Sequence, residues 1–231
     1  MRLDKFLSHA GFGSRKEVAR LIKEKRITVD DKVVKDRNLK VNDNNTVTVD
    51  GNIVILEEWI YFLLNKPKGV ISSTEEGPTK TVIDIIHHPQ SDELFPVGRL
   101  DKDTTGFLLI TNDGKLSYQL LNPKKDIFKT YKCTLKNPVS ESDLVKLETG
   151  IPLKEFTTKP AKAEKISDKV VHLSISEGKF HQVKRMFRYL GNEVIELERI
   201  SFGGMALNSS LNYGEYRRLT EEELEFLKKL I

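Results

Sequence analysis

The sequence predicts an α+β chain in two parts, a small N-terminal α/β domain over residues 1–58 and a larger body of mixed sheet with flanking helices over residues 59–231. Three observations predict it. Residues 27–29, 47–49, 128–135 and 170–175 are β-branched, aromatic or alternating runs of strand character. Ser14 with Glu17, and Thr220 with Glu223, are capping boxes, each ahead of apolar residues at helical spacing. Glu57-Glu58 breaks the composition just before the strongly apolar residues 59–64, which places a domain boundary near residue 58.

In chain order, Leu3, Phe6 and Leu7 form the apolar side of a first helix that ends near Gly11 and Gly13. The second helix starts at Ser14, turns Val18, Leu21 and Ile22 inward and sets Lys16, Arg20 and Lys23 on its other side. Arg15, Lys16 and Arg20 surround its first turn, where unpaired backbone amides favour phosphate. Small strands follow at residues 27–29, 33–34, 47–49 and 53–55, the last two joined by Asp50-Gly51, a strong hairpin signal.

The body opens with a strand over residues 59–64, a turn over 65–69 and a resumed strand at Val70-Ile71. Residues 75–93 read as a helix with loops. Leu116, Leu120 and Leu121 predict a short helix closed by Asn122-Pro123, and a second polar helix surrounds Leu144 and Leu147. Val183, Met186, Phe187 and Leu190 recur at helical spacing, leaving His181, Lys184, Arg185 and Arg188 on the other face, with Gly191 as the stop. The C-terminal helix adds a Leu219–Leu224 staple to its capping box.

Composition excludes several classes. At 38% hydrophobic and 31% charged, the chain has enough apolar content to fold and is not of the disordered type. Cys133 is the only cysteine, which removes a disulfide framework and a cysteine zinc site and fits a reducing compartment. Asp4 falls where a secretory leader would begin its apolar region, and no apolar run approaches membrane-spanning length, so a cytoplasmic protein is expected. No P-loop, dinucleotide-binding glycine fingerprint or H-E-x-x-H occurs. Residues 1–56 hold twelve Lys and Arg against eight Asp and Glu, which accounts for the entire net charge of +4. A basic module on a neutral body suggests a grip on a polyanion.

The stretch 98–114 sets Asp101 in a tight polar turn directly ahead of the apolar residues 107–110. Asp, Thr and Gly are ordinary turn formers, so a plain turn is one reading. Asp101, Asp103, Thr105 and Gly106 also match the opening of a calcium loop, but Leu109 and Asn112 stand where its later ligands belong, so no metal is expected. A nucleophilic or acid/base aspartate is the third reading. A glycosidase pair of Asp101 and Asp103 has the right residue type, yet two acids one residue apart in a turn need not face a common bond.

The first 56 residues resemble the S4 RNA-binding domain, through R-L-D-K-F-L, S-R-K-E-V-A-R-L-I-K and I-T-V-D-D-K-V-V. The body resembles the RsuA family of bacterial ribosomal-RNA pseudouridine synthases. The resemblance rests on N-K-P-K-G at 65–69, G-R-L-D from Gly98 with Thr105-Gly106, K-T-Y at 129–131, and I-S-E-G-K-F-H-Q-V-K-R-M at 175–186. Lys184 in the last motif, where other branches usually show Arg, and the ending G-E-Y-R-R-L-T at 214–220 look most like the branch acting on 16S rRNA. The resemblance implies the pseudouridine synthase fold, with a mainly antiparallel sheet, and an enzyme that needs no cofactor. It implies Asp101 as nucleophile, Lys184 as the cation that keeps it charged and Tyr131 as the ring that stacks on a flipped uracil. Arg99, Leu100, Leu173 and Ile175 would line the pocket. Arg2, Lys5, Ser14, Arg15, Lys16, Arg20, Arg26, His181 and Arg185 are the RNA-contact candidates. The implied partner is 16S rRNA or a small-subunit assembly particle, met by a monomer. A non-catalytic RNA-binding or assembly protein and a 23S rRNA enzyme of the same family remain as alternatives.

Overall fold

The computed structural model describes every residue except Glu76 and Asn208. The chain divides into two compact units, Met1–Trp59 with Ile86–Leu94 and Ile60–Ile85 with Phe95–Ile231. Residues 86–94, which the sequence reading assigns to the body, group with the N-terminal unit. Lys5 Nζ lies 3.3 Å from Glu93, His9 Nε2 lies 3.0 Å from Asp92, and the Gln90 side chain donates to the Glu57 carbonyl at 3.2 Å.

In the N-terminal unit α1 (Leu3–His9) and α2 (Arg15–Lys23) accompany four short strands, β1 (Ile27–Val29), β2 (Lys32–Val33), β3 (Val47–Val49) and β4 (Asn52–Ile53), in the order β2-β1-β3-β4. Leu3, Leu7, Val18, Ile22, Ile27 and Val47 are buried in one core, as the helical spacing predicts. Both hairpins use two-residue turns with positive φ at each centre, Asp30 (50°) and Asp31 (62°), then Asp50 (51°) and Gly51 (80°). This turn twists with the strands. The Ser14–Glu17 capping box is formed, with the Glu17 carboxylate accepting from Ser14 N at 2.7 Å.

The second unit holds β5 (Tyr61–Lys66), β6 (Phe95–Pro96), β7 (Thr105–Thr111), α3 (Gly114–Leu121), β8 (Lys129–Leu135), α4 (Glu141–Thr149), β9 (Lys162–Ser167), β10 (Val170–Ile175), α5 (Gln182–Tyr189), β11 (Val194–Phe202), β12 (Met205–Ala206), β13 (Tyr216–Arg218) and α6 (Glu221–Lys229). Among the described residues nine strands make one sheet with the path β13-β5-β7-β11-β8-β10-β9, β12 lying beside β11 and β6 beside β7. Every pairing is antiparallel except β7 with β11. The architecture is thus α+β with a mainly antiparallel sheet. Leu63, Phe107, Leu109, Leu116, Leu120, Phe202 and Leu227 pack together, so strand residues of β5, β7 and β11 share a core with α3 and α6.

Four expectations change. Asn65 and Lys66 complete β5, so the turn is only residues 67–69. Val70-Ile71 is no strand; Ile71 makes a single bridge to Thr81. Residues 75–93 contain two 3₁₀ turns and no α-helix among the described residues, because Thr81 and Asp84 bond each other's backbone and close one local turn. Strands β9 and β11 occupy stretches for which the sequence reading names no strand.

Candidate active site

The Asp101 loop is held from two sides. Ser72 Oγ accepts from Leu100 N at 3.1 Å and lies 3.0 Å from the Leu100 carbonyl, to which it donates. Gly69 N donates to the Lys102 carbonyl at 2.8 Å. From the end of β5, the Lys66 ammonium donates to the carbonyls of Pro67 at 3.1 Å and Thr104 at 2.8 Å, with Lys102 at 3.5 Å. Lys66 is fully buried; burial pushes its pKa down to about 8 against the pull of Asp103 and Asp101, and Lys184 adds to the depression. A lysine normally ends a strand by reaching water. Here it ends β5 by reaching carbonyls.

Tyr131, on β8, is buried and lies opposite Leu173 of β10 in the sheet register. Residues 177–181 form the approach to α5. Gln182, buried, donates through Nε2 to Glu177 at 2.8 Å and accepts from Lys179 N at 2.9 Å, while Glu177 also accepts from Lys159 N at 2.8 Å. From α5 the Lys184 ammonium reaches Asp101 Oδ2 at 3.2 Å and Asp103 Oδ1 at 2.6 Å. Burial tends to lift the Asp103 carboxyl, but the Lys184 hydrogen bond and charge outweigh it and hold it below the usual carboxylate range. One ammonium therefore serves two carboxylates. His181 Nε2 stands 3.6 Å from Asp101 Oδ1.

These elements enclose a narrow cleft of about 70 Å³ lined by Arg99, Leu100, Asp101, Tyr131, Ile175 and His181, together with Thr104, Gly178, Lys179, Gln182, Val183 and Leu197. It offers a carboxylate with its counter-ion, an aromatic ring and an aliphatic wall. That set suits a planar ring attached to a carbon open to nucleophilic attack. Leu173 departs from the expectation: it sits beside Tyr131 in the sheet register but is fully buried and does not line the cleft. Asp103, Gln182 and Leu197 are additions. Leu197 belongs to β11, whose alternation of apolar with charged residues was the available signal.

The RNA pseudouridylate synthase family matches residues 60–189 and the S4 domain matches residues 1–47. The "Uncharacterized RNA pseudouridine synthase YtzG" of Bacillus subtilis is 49% identical, over 99% of both chains. The "Ribosomal small subunit pseudouridine synthase A" of Escherichia coli K12 is 41% identical, over 97% of this chain and 98% of its own. The chain belongs to the RsuA family of RNA pseudouridine synthases. A solved "pseudouridylate synthase" is similar throughout, with a TM-score of 0.71 and 38% identity over 98% of this chain and 99% of the other. The protein is therefore an isomerase that acts on RNA, built from an S4 domain and a pseudouridine synthase body.

Several candidate RNA contacts of this synthase are already engaged with acids. Arg2 meets Asp4 at 2.7 Å, Arg20 meets Glu24 at 2.8 Å, Arg26 meets Asp50 at 2.5 Å, and Arg185 bonds Glu155. Ser14 is taken up by its capping box. Arg15 and Lys16 are exposed on the first turn of α2.

Lys66→Met separates the loop clamp from overall stability. Methionine removes the cost of a buried ammonium, which the depressed pKa records, but leaves the Pro67 and Thr104 carbonyls without that donor, at about 1–3 kcal/mol each. These oppose each other, so the melting temperature should move by less than about 5 °C. Turnover should fall at least about tenfold, because the loop carrying Asp101 loses its anchor. Thermal melting and isomerisation measured on the same preparation check both halves.

Proposed function

We propose that this synthase converts a uridine of 16S small-subunit rRNA to pseudouridine in the Asp101 cleft. The observation that carries this is the meeting of Asp101, Tyr131 and Lys184 from the β6–β7 loop, β8 and α5, with the carboxylate 3.2 Å from the ammonium. The small-subunit target is supported by the names of several relatives, at 39–43% identity across nearly the whole chain.

A uridine must leave its stack before its glycosidic bond is accessible, and Tyr131 and Ile175 provide a slot for the flipped ring. Asp101, whose carboxylate lies 3.2 Å from the Lys184 ammonium, promotes cleavage of the C1′–N1 bond, either by adding to C1′ or by assisting elimination. The uracil turns, C5 bonds to C1′, the C5 proton departs and N1 ends protonated, so atoms balance without a co-reactant. In this reading the Tyr131 phenol, which lines the cleft, helps to remove the C5 proton. Arg99, exposed at the rim, is suited to a phosphate.

The test uses unmodified small- and large-subunit rRNA transcripts labelled with tritium at uridine C5. Release of label from the small-subunit transcript alone supports the assignment; release only from the large-subunit transcript moves the target, and none from either, or from assembly particles, removes it. The S4 unit is proposed to hold the RNA backbone as part of a monomer. Arg15→Ala and Lys16→Ala should each lower the slope of log affinity against log salt by about 0.7–0.9. An unaltered slope in the double variant would mean that this helix turn does not touch phosphate.

A further inference from the structure

Phe180 is 74% exposed, one of the most exposed large apolar side chains among the described residues, and it stands beside the cleft with no share in the core. Its ring is stacked on that of His181, with centroids 3.8 Å apart and planes 17° from parallel. His181 also approaches Asp101, with Nε2 3.6 Å from the carboxylate. The imidazole therefore touches both the carboxylate and the exposed phenyl ring.

We propose that the Phe180–His181 stack is a platform for the nucleobase next to the uridine that enters the cleft. This rests on the reading of the cleft as the place where an rRNA uridine is isomerised. Phe180 does not line the cleft, whereas Tyr131 and Ile175 do, so the phenyl ring is placed for a neighbouring base and not for the target. One stacking layer separates it from the imidazole, which matches the spacing at which successive bases continue a stack. Single-stranded RNA bases are held in this way by aromatic side chains, largely without regard to sequence.

The platform is also fixed before RNA arrives. His181 holds φ of 50°, a left-handed conformation that costs a residue with a side chain. The preceding segment is tied by Gln182 to Glu177 and to Lys179 N, which holds the backbone that carries the two rings. A rigid aromatic surface loses little freedom on binding, and that is where such a residue repays its exposure. Lys179 and Arg99, both exposed on the cleft rim, are available to the phosphates on either side of the stacked base.

The experiment uses the full chain with Phe180→Trp, Phe180→Leu and Phe180→Ala, and unmodified rRNA transcript labelled at C5. Trp should stay within about twofold of the parent in KM, while Ala and Leu should raise it between about fivefold and a hundredfold, the range for loss of one base–aromatic stack. Leu equal to Phe would mean a simple apolar contact and overturn the proposal, as would four equal KM values. A second readout stands apart from turnover: Phe180→Trp in a Trp59→Phe background should lose fluorescence when transcript binds. Binding without quenching overturns the platform. Quenching without tritium release from any transcript keeps the platform and removes the catalytic reading beneath it.

Discussion

Asp101→Asn is expected to stop tritium release from the C5-labelled transcript while leaving RNA affinity within about threefold of the parent. Asparagine keeps the shape of the side chain and removes its charge, so it cannot serve as an anionic nucleophile or base at C1′. Losing a nucleophile acts on turnover by about 10³-fold or more, whereas backbone contacts across the RNA surface are untouched. The fold should tolerate the change. Lys184 retains Asp103 at 2.6 Å, so the substitution leaves no bare ammonium, and the loop keeps its Ser72, Gly69 and Lys66 anchors, all of which bond backbone atoms. Single-turnover release with enzyme in excess measures the chemical step directly, with a melting curve and filter binding as companions. Release within about tenfold of the parent would take the nucleophile's role from Asp101, and unfolding would show instead that the carboxylate holds the loop together.

The parts of this molecule that were legible in the sequence are those governed by near neighbours. The capping boxes at Ser14 and Thr220 form with the partners three residues on, and Asp50-Gly51 makes the two-residue turn its composition requires. The catalytic candidates could be named because they sit in dense motifs, and the structure brings Asp101, Tyr131, Lys184, Arg99, Leu100, Ile175 and His181 to one place. Misread segments have long-range causes. Lys66 reads as part of a turn over residues 65–69, since nothing local shows that it will close a strand and send its ammonium to a carbonyl 38 residues away. The family resemblance puts Leu173 in the pocket wall; it pairs with Tyr131 in the sheet register but is fully buried and is not among the residues lining the cleft. β11 carries Glu196, Glu198 and Arg199 among its apolar residues; their alternation is a local strand signal, but the central place of this strand between β7 and β8 comes only from the sheet order. Asp103 was visible as a carboxylate, yet its claim on Lys184 depends on where α5 lies.

Gly106→Ala should be among the most damaging single substitutions in the chain, lowering the stability of the second unit by more than about 3 kcal/mol. Gly106 stands at φ of 100°, where a residue with a Cβ is strained, and it is paired with Arg199 at the parallel junction of β7 and β11. An added Cβ would overlap the Arg199 carbonyl oxygen and lie 2.9 Å from its nitrogen and 3.0 Å from its carbonyl carbon. Those are backbone atoms of a neighbouring strand, so no rotamer change relieves the overlap; the strands must separate. Separation also disturbs Arg199, a buried guanidinium whose Nε donates to the Phe107 carbonyl at 2.8 Å. A melting temperature lower by about 6–12 °C is the expected result. Gly114→Ala is the matched control, because its Cβ would meet nothing within 4 Å on the first residue of α3, and it should be neutral or gain a few tenths of a kcal/mol, up to about 1. Activity assayed well below the melting transition extends the test to the site. Thr104 and Thr105 join the Asp101 loop to Gly106, so opening the β7–β11 junction shifts the carbonyl that Lys66 holds and with it the carboxylate. Folded Gly106→Ala protein with full turnover would show that the loop is located by its Lys66, Gly69 and Ser72 bonds alone, independent of the strand that follows it.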